Sequence, residues 1–308
     1  MTLISQPWQQ RIGHQRELIW RGWQTRYSYL KARSISSQSA KPPLVLVHGF
    51  GASIEHWRHN IPVLSNEHSV YALDLLGFGA SRKARTDYTI DLWVEQLHDW
   101  WQTIVQQPVI LIGNSIGSLV CMSAAAKYPA MAKGLVMLSL PDVAEREKNL
   151  GRLQSVGTKL ENILASPWLI RSLLKILRRP STIARLAKFA YEDKTAIDDE
   201  LVEILANPAH DEGADWTFYR LFRGVRKPGY ALAVSEVLPQ LQLPILLIWG
   251  QCDRVIPPKF AASYARLNPQ IELVELPKVG HCPHDESPTQ FNQIILNWLQ
   301  QKMNSELK

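Results

Sequence analysis

Short apolar runs, bounded by proline, glycine or a polar residue, recur along most of the chain. They occupy the segments LVLVHGFG (44–51), SVYALDLLG (69–77), PVILIGNS (108–115), GLVMLSLPD (134–142), PILLIWGQCD (244–253) and IELVELP (271–277). Runs of this length are typical of strands buried on both faces, as in parallel sheets. Helix-like segments such as 89–105 and 116–129 separate them. The alternation predicts an α/β fold with a mostly parallel sheet and helices on both of its faces.

Two segments depart from this alternation. Segment 17–32 alternates in places around Gly22, which predicts a hairpin at the start of the sheet. Between 143 and 236 no comparable strand occurs, and because this stretch is too long for an ordinary loop, we predict a helical cap over 143–236. The core domain then comprises 1–142 and 237–308. The helix-like stretches of the cap lie near 158–165, 168–179, 182–191 and 197–206.

Composition and charge restrict the class of protein. The 46% of hydrophobic and 20% of charged residues are ordinary for a globular chain. The net charge of +6 is too small and too dispersed to indicate a nucleic-acid partner. The three cysteines, at 121, 252 and 282, match neither a metal-ligand spacing nor a disulfide framework. Because no apolar stretch suits a signal peptide or a membrane span, we expect a cytoplasmic protein whose membrane contact, if any, is peripheral.

Polar side chains follow several of the predicted strands, at the edge where open parallel sheets bind their ligands. The sequence GNSIG (113–117) follows one strand, precedes a helix-like run and matches the Gly-x-Ser-x-Gly pattern of a nucleophile elbow. Small residues two positions on either side of Ser115 allow the helix and the strand to approach closely. Asp253 and His281 follow later strands, so the chain order is serine, aspartate, histidine. This order favours a catalytic triad over a serine that only fills a tight corner.

Five sequence blocks carry a family resemblance. In chain order they are HGFGAS, DLLGFGAS, GNSIGS, GQCDRVIP and GHCPHDE, and together they span most of the chain outside the cap. With these blocks the sequence resembles the α/β-hydrolase superfamily, in the branch that has a helical cap. The blocks VHGFGASIEHW, ALDLLGFGAS and IGNSIGS most resemble those of the pheophytinase-like hydrolases of photosynthetic cells. Where those relatives often have Gly-Gly, this chain has Gly117-Ser118, which we expect to crowd the helix contact slightly.

The resemblance implies a fold and a set of site residues. The fold is an eight-stranded, mostly parallel sheet with the cap inserted after the sixth strand. The triad is Ser115, Asp253 and His281, and the oxyanion hole consists of the backbone N–H groups of Phe50 and Ile116. The resemblance implies neither a cofactor nor a metal.

Other residues have competing interpretations. Asp142 also ends a predicted strand, and some members of the family place the triad acid there. Asp74 is expected to anchor the turn in DLLGFGAS rather than to react. The histidine pairs in HWRH (56–59) and HCPH (281–284) have i, i+3 spacing, but neither is accompanied by the third ligand that a zinc site needs.

The segment WLIRSLLKILRRP (168–180) predicts an amphipathic cap helix. Its basic side carries Arg171, Lys175 and Arg178. Its apolar side comprises Leu169, Leu173, Ile176 and Leu177. Two interpretations stay open. Either the apolar side covers the catalytic cleft while the basic side meets water, or the cap forms an apolar entrance and contacts an anionic membrane surface.

These features favour a serine hydrolase that acts on a small hydrophobic ester, with a phytyl or other long-chain carboxylic ester as one candidate. A second interpretation keeps the triad for carbon–carbon bond hydrolysis or cofactor-free perhydrolysis. A third is a ligand receptor on a hydrolase scaffold, because one scaffold hosts many functions. Serine rather than aspartate at position 115 disfavours haloalkane and epoxide hydrolysis, in which a carboxylate attacks.

Overall fold

An eight-stranded sheet forms the centre of the structure, a computed structural model that describes residues 7–33, 41–143, 167–225, 227 and 229–305. The strands are β1 (His14–Trp20), β2 (Trp23–Leu30), β3 (Leu44–Val47), β4 (Val70–Leu73), β5 (Val109–Asn114), β6 (Ala132–Leu138), β7 (Ile245–Gly250) and β8 (Ile271–Leu276). Their spatial order is β1-β2-β4-β3-β5-β6-β7-β8. Strand β2 pairs antiparallel with β1 and β4, and the other pairs are parallel. The predicted hairpin and the mostly parallel eight-stranded sheet are confirmed.

Helices flank the sheet and follow most of its strands. Within the described ranges they are α1 (Trp8–Arg11), α2 (Ile61–Leu64), α3 (Ile90–Ile104), α4 (Ile116–Lys127), α5 (Pro167–Leu177), α6 (Pro180–Ala190), α7 (Asp199–Ala206), α8 (Ala214–Gly224), α9 (Val234–Val237), α10 (Lys259–Ala265), α11 (Pro283–Glu286) and α12 (Pro288–Ser305). Among these helices, none combines the length and the apolar composition that crossing a bilayer requires.

The apolar residues of the central strands divide between the two faces of the sheet. In β3, Val45 belongs to the core on one face and Leu46 to the core on the other. Strand β5 alternates in the same way. Helices α3 and α4 cover the first face, whereas α2 and α12 cover the second. Successive side chains of a strand point to opposite faces of the sheet, and here both faces are buried. The strands are therefore continuous apolar runs rather than alternating ones.

Between β6 and β7 the described chain is helical. Helices α5, α6 and α7 match three of the four predicted stretches, and the stretch near 158–165 lies outside the described residues. Helix α8 is not among the predicted stretches, because three of its buried positions carry the small or polar residues Ala214, Thr217 and Gly224, so that its apolar pattern is weak. The division of the chain at 143 and 236 stays a prediction.

The apolar side of α5 does not lie where the sequence predicts it. Leu173 and Ile176, which were expected to cover the cleft, are 44% and 50% exposed. Leu174 is buried instead. The expectation is wrong for these two residues because α5 packs against α8 through its other side, where Leu174 lines a cavity and Arg171 Nε–H donates to Asp215 Oδ2, 2.6 Å away. Arg178, on the same side of the helix, lines the same cavity.

Candidate active site

Ser115 lies at a sharp turn between a strand and a helix. Strand β5 ends at Asn114, α4 begins at Ile116, and Ser115 between them has φ 54° and ψ −118°. A non-glycine residue in such a conformation stores about 1–3 kcal/mol of backbone strain, which its surroundings must balance. The Ser115 N–H donates to the carbonyl of Leu138 in β6, 2.8 Å away. The structure therefore holds this serine, half-buried, at the carboxyl edge of the parallel strands.

Two glycines allow the strand and the helix to meet at this turn. A Cβ atom on Gly113 would lie 2.3 Å from the carbonyl oxygen of Gly117, and one on Gly117 would lie 2.3 Å from that of Val47. Any larger residue at either position would force the backbone apart. Ser118, which we expect to crowd this contact slightly, is buried here, and its hydroxyl donates to the Gly113 carbonyl at 2.6 Å. The Ser118 hydroxyl oxygen also accepts from the Leu138 N–H at 3.0 Å.

His281 and Asp253 are joined by a hydrogen bond. The His281 Nδ1–H donates to Asp253 Oδ2 at 2.8 Å, and the carboxylate is fully buried. Asp253 Oδ1 accepts from the backbone N–H groups of Val255 and Ile256, at 2.8 and 2.9 Å. Three donors thus hold this carboxylate in one orientation. The structure therefore brings together the aspartate and the histidine that follow β7 and β8.

The backbone around His281 is tied both to the sheet and to the inserted helices. The His281 carbonyl accepts from the Asn114 side-chain amide, next to Ser115, at 3.2 Å, and from the Ser139 hydroxyl at the same distance. The His281 N–H donates to the carbonyl of Ala190, at the end of α6, over 2.8 Å. These contacts set the position of the histidine relative to the serine turn. Asn114 and Ser139 were not identified from the sequence, although both adjoin predicted strand ends.

Glu286 connects the same loop to the chain after α6. Its Oε2 accepts from the Gly280 N–H, and its Oε1 accepts from the N–H groups of Glu192 and Asp193, each at 2.8 Å. Gly280 has no space for a side chain, because a Cβ atom there would lie 2.3 Å from the Ala190 carbonyl. The sequence does not single out Glu286, whose only signal is its place five residues after His281 in GHCPHDE.

A buried histidine supports the loop that carries Phe50. The His48 Nδ1–H donates to the Gly49 carbonyl at 2.7 Å, and His48 Nε2 accepts from the Leu75 N–H at 3.1 Å. Burial lowers the pKa of His48, which favours the neutral ring that both contacts need. Among the described residues, the N–H groups of Phe50 and Ile116 have no protein acceptor. The backbone of this loop and the start of α4 therefore have two free donors.

The other two strand-end aspartates have different surroundings. Asp74 is buried and accepts from the Ile54 N–H at 2.9 Å, the Ala80 N–H at 2.8 Å and the Arg26 Nε–H at 2.6 Å. Burial alone would raise its pKa, but Arg26 and these donors bring the pKa below the usual range. These contacts are those of an anchor for the turn after β4. Asp142 lies half-buried, four residues past the end of β6.

The histidines at 56 and 284 belong to a buried hydrogen-bonded chain. The His284 Nε2–H donates to His56 Nδ1 at 3.3 Å, the His56 Nε2–H donates to the Tyr191 hydroxyl at 2.8 Å, and Tyr191 donates to Asp285 Oδ2 at 2.7 Å. Burial lowers the pKa of both rings, to about 3 for His56 and well below the usual range for His284. Both rings are therefore neutral near pH 7. In the described part of the chain, no group of three His, Cys, Asp or Glu side chains is arranged to hold a metal ion.

An apolar cavity of about 140 Å³ lies between the inserted helices and the core. Phe50 and Phe78 line it from the core, and Leu174, Leu177 and Phe218 line it from α5 and α8. Its polar lining side chains are Lys83, Arg178 and Thr217. Ser115 and His281 are not among the lining residues. The loop that carries Phe50 lines the cavity and, at Gly49, lies beside Ser115.

Comparison with known proteins identifies the family. Residues 44–294 match the model of the alpha/beta hydrolase family. The chain belongs to this family. The match covers every strand from β3 to β8 and all the residues discussed above as candidate site residues.

Curated relatives within the alpha/beta hydrolase family carry different names. The 2-hydroxy-6-oxo-6-(2'-aminophenyl)hexa-2,4-dienoic acid hydrolase of Metapseudomonas resinovorans is 24% identical over 264 residues, 84% of either chain. The chloroplastic pheophytinase of Arabidopsis thaliana is 23% identical over 299 residues, covering 84% of this chain and 61% of that protein. A crystal structure of a serine hydrolase involved in carbazole degradation superposes with a TM-score of 0.75 at 23% identity, over 93% of this chain and 98% of that one. This similarity establishes the α/β-hydrolase fold.

Proposed function

We propose that this hydrolase cleaves a carboxylic ester with a hydrophobic moiety through an acyl-enzyme formed on Ser115. The observation that carries the proposal is the 2.8 Å hydrogen bond from His281 to Asp253, on the sheet edge that also bears the strained Ser115 turn. A serine hydroxyl needs a neighbouring base because it is a weak nucleophile at neutral pH. With its Nδ1 proton bound to Asp253, a neutral His281 has Nε2 free to be that base.

The reaction follows from these roles. His281 Nε2 takes the Ser115 proton as the hydroxyl oxygen attacks the ester carbonyl, and the same proton then passes to the departing alcohol. Water, deprotonated by His281, attacks the acyl group and releases the acid, restoring Ser115. Asp253 orients the ring and stabilises its protonated form in both steps without taking the proton.

The free N–H groups of Phe50 and Ile116 would bind the negative oxygen of the tetrahedral intermediate. Their lack of a protein acceptor among the described residues supports this role. His48 supports it further, because it fixes the carbonyl of Gly49 immediately before Phe50. One such donor typically contributes about 3–4 kcal/mol to transition-state stabilisation.

The apolar cavity supports a hydrophobic substrate. Its lining of aromatic and aliphatic side chains from the Phe50 loop, α5 and α8 would take one end of an alkyl or isoprenoid chain. The similarity to pheophytinase makes a phytyl ester one candidate to test.

Carbon–carbon bond hydrolysis is the second candidate function. It is favoured by the relative from Metapseudomonas resinovorans, whose name specifies an oxo-dienoic acid and no ester as its substrate. The same serine, histidine and aspartate would serve, with a ketone carbonyl in place of the ester carbonyl.

The proposal is tested with a panel that includes p-nitrophenyl esters of graded chain length, a phytylated pigment and a ring-fission diketone. We expect turnover of the long-chain esters, labelling of Ser115 by a fluorophosphonate, and loss of both in Ser115→Ala. Ser235→Ala, which changes an exposed serine, is the matched control and should behave as the wild type. Retained ester turnover in Ser115→Ala would contradict the proposal. Turnover of the diketone alone would favour the second function, and no turnover of any compound would favour a receptor.

A further inference from the structure

Large apolar side chains are exposed on the outer side of two consecutive inserted helices. Leu173 and Ile176 of α5 are 44% and 50% exposed, and Leu186 and Phe189 of α6 are 53% and 56% exposed. Each pair has i, i+3 spacing and therefore lies on one side of its helix. The buried residue Leu174 in α5 and its counterpart in α6, at position 187, point the other way. The two exposed rows therefore face away from the interior of the inserted helices.

Positive charge accompanies these apolar residues. The sequence from 166 to 191 contains six basic residues and no acidic one. Four of the six, Lys175, Arg179, Arg185 and Lys188, are exposed, and in the described structure none of them pairs with a carboxylate. Arg171 differs, because its guanidinium is paired with Asp215. We call the four apolar and four basic side chains together the outer cap surface.

We propose that the outer cap surface docks onto an anionic lipid bilayer. Helices that combine Leu or Phe with Lys or Arg on their exposed side bind at the interface, where the apolar groups enter the acyl boundary and the cations meet anionic headgroups. Large apolar side chains that are exposed beside cations are typical of an interaction site. A second copy of the same surface is a poor partner, because it would place four cations against four with no acid between them.

The position of the surface connects docking to the candidate site. The opposite side of α5 lines the apolar cavity through Leu174 and Leu177, and Phe50, which also lines the cavity, is itself 49% exposed. A helix is about 10 Å thick, so the cavity of a docked molecule lies within about one helix diameter of the lipid. A long-chain ester would then pass from the bilayer into the cavity with little exposure to water. This last step rests on the proposed function, whereas docking itself does not.

Vesicle co-sedimentation tests docking directly. The full-length protein is mixed at low salt with vesicles of phosphatidylglycerol and phosphatidylcholine, or of phosphatidylcholine alone. We expect binding to the anionic vesicles that weakens as salt rises. Arg185→Gln/Lys188→Gln should lower the partition coefficient by about 10- to 30-fold, at roughly fivefold for each lost cation. Leu186→Ser/Phe189→Ser should lower it at least about tenfold.

Matched variants distinguish docking from a general charge or surface effect. Lys31→Gln/Arg33→Gln removes two exposed cations from the end of β2, and Ile19→Ser removes an apolar side chain that is 67% exposed in the hairpin. Neither should reduce vesicle binding by more than about twofold, because both lie on the core rather than on the outer cap surface. Ser115→Ala should bind the anionic vesicles as the wild type does. Vesicle binding therefore tests docking independently of the proposed chemistry.

Three results would overturn the proposal. The first is wild-type protein that stays in the supernatant with anionic vesicles at low salt. The second is cap variants that sediment as well as the wild type. The third is a dimer in sedimentation velocity that Leu186→Ser/Phe189→Ser dissociates, because it would assign the surface to a second copy. Unchanged rates of the cap variants on a soluble p-nitrophenyl ester, together with weaker vesicle binding, would support the proposal and exclude misfolding.

Discussion

The backbone N–H of His281 donates to the carbonyl of Ala190 across 2.8 Å, and this bond joins the candidate base to the end of the inserted helix α6. Glu286 strengthens the junction, since it accepts from Gly280 on one side and from Glu192 and Asp193 on the other. The inserted chain at this point is therefore part of the scaffold that holds the histidine.

Glu286→Gln is expected to loosen this junction. An amide keeps one acceptor oxygen but turns an NH₂ group towards the backbone donors, which leaves at least one buried N–H without a partner, at about 1–3 kcal/mol. We expect slower fluorophosphonate labelling of Ser115, by about tenfold, with the unfolding free energy reduced by this amount. Rapid-quench labelling and urea denaturation measure the two effects. Gln290→Ala, on the exposed side of α12, is a control, and a labelling rate equal to that of the wild type would contradict the assigned contact.

Asp253→Asn tests which carboxylate orients His281. An amide nitrogen in place of Oδ2 would present a donor to Nδ1, so the ring would favour the tautomer with its proton on Nε2 and lose its function as a base. We expect kcat to fall by about 10⁴-fold with little change in stability. Asp142→Asn is the matched variant and should retain most activity, because the contact with His281 is made by Asp253. A large loss of kcat in Asp142→Asn with little loss in Asp253→Asn would instead assign the orientation of His281 to Asp142.

Gly117→Ala should prevent the close packing of α4 on β3. The new Cβ atom would lie 2.3 Å from the Val47 carbonyl oxygen and 2.6 Å from that of His48. Relieving this steric overlap requires a shift of the backbone beside Ser115. We expect a loss of unfolding free energy of about 1–3 kcal/mol, typical of overpacked sites. Urea unfolding measures this, and Ala126→Ser on the exposed side of the same helix provides the comparison. A Gly117→Ala protein with unchanged stability and labelling would refute the packing argument.

Asp74→Asn should destabilise the protein in a pH-dependent way. Its folded-state pKa lies below the unfolded value, with Arg26 and backbone donors outweighing burial. The stabilisation by the carboxylate is therefore complete above the unfolded pKa of about 3.9 and is lost as the pH falls through the folded-state pKa. Removing one partner of such a buried pair costs about 3–5 kcal/mol.

The corresponding measurement compares the unfolding free energies of the wild type and Asp74→Asn at neutral pH and at a pH below 4. The difference should be large at neutral pH and should narrow in acid. Asp91→Asn, which changes an exposed carboxylate paired with Lys127, should cost no more than about 1 kcal/mol at either pH. A difference for Asp74→Asn that grows in acid would mean that the sign of its pKa shift is wrong.

The sequence by itself determined the sheet, the family and the order of the candidate site residues. Strands buried on both faces have sequences that are unbroken apolar runs. The serine turn also has a local sequence pattern, because the tight turn admits only small residues at Gly113 and Gly117. Both features depend on residues that are consecutive in the chain, so the sequence pattern alone is enough to predict them.

Only the tertiary structure decided which side of α5 faces inward and what holds His281 in place. The orientation of α5 is set by its packing against α8, where Arg171 pairs with Asp215, and the histidine loop is held by Ala190 and Glu286. These partners come from separate helices or loops, and periodicity within one helix contains no information about them. Hydrophobic patterning alone would have buried Leu173 and Ile176, whereas packing between the helices left both exposed, because Leu174 and Leu177 on the other side of α5 face the cavity.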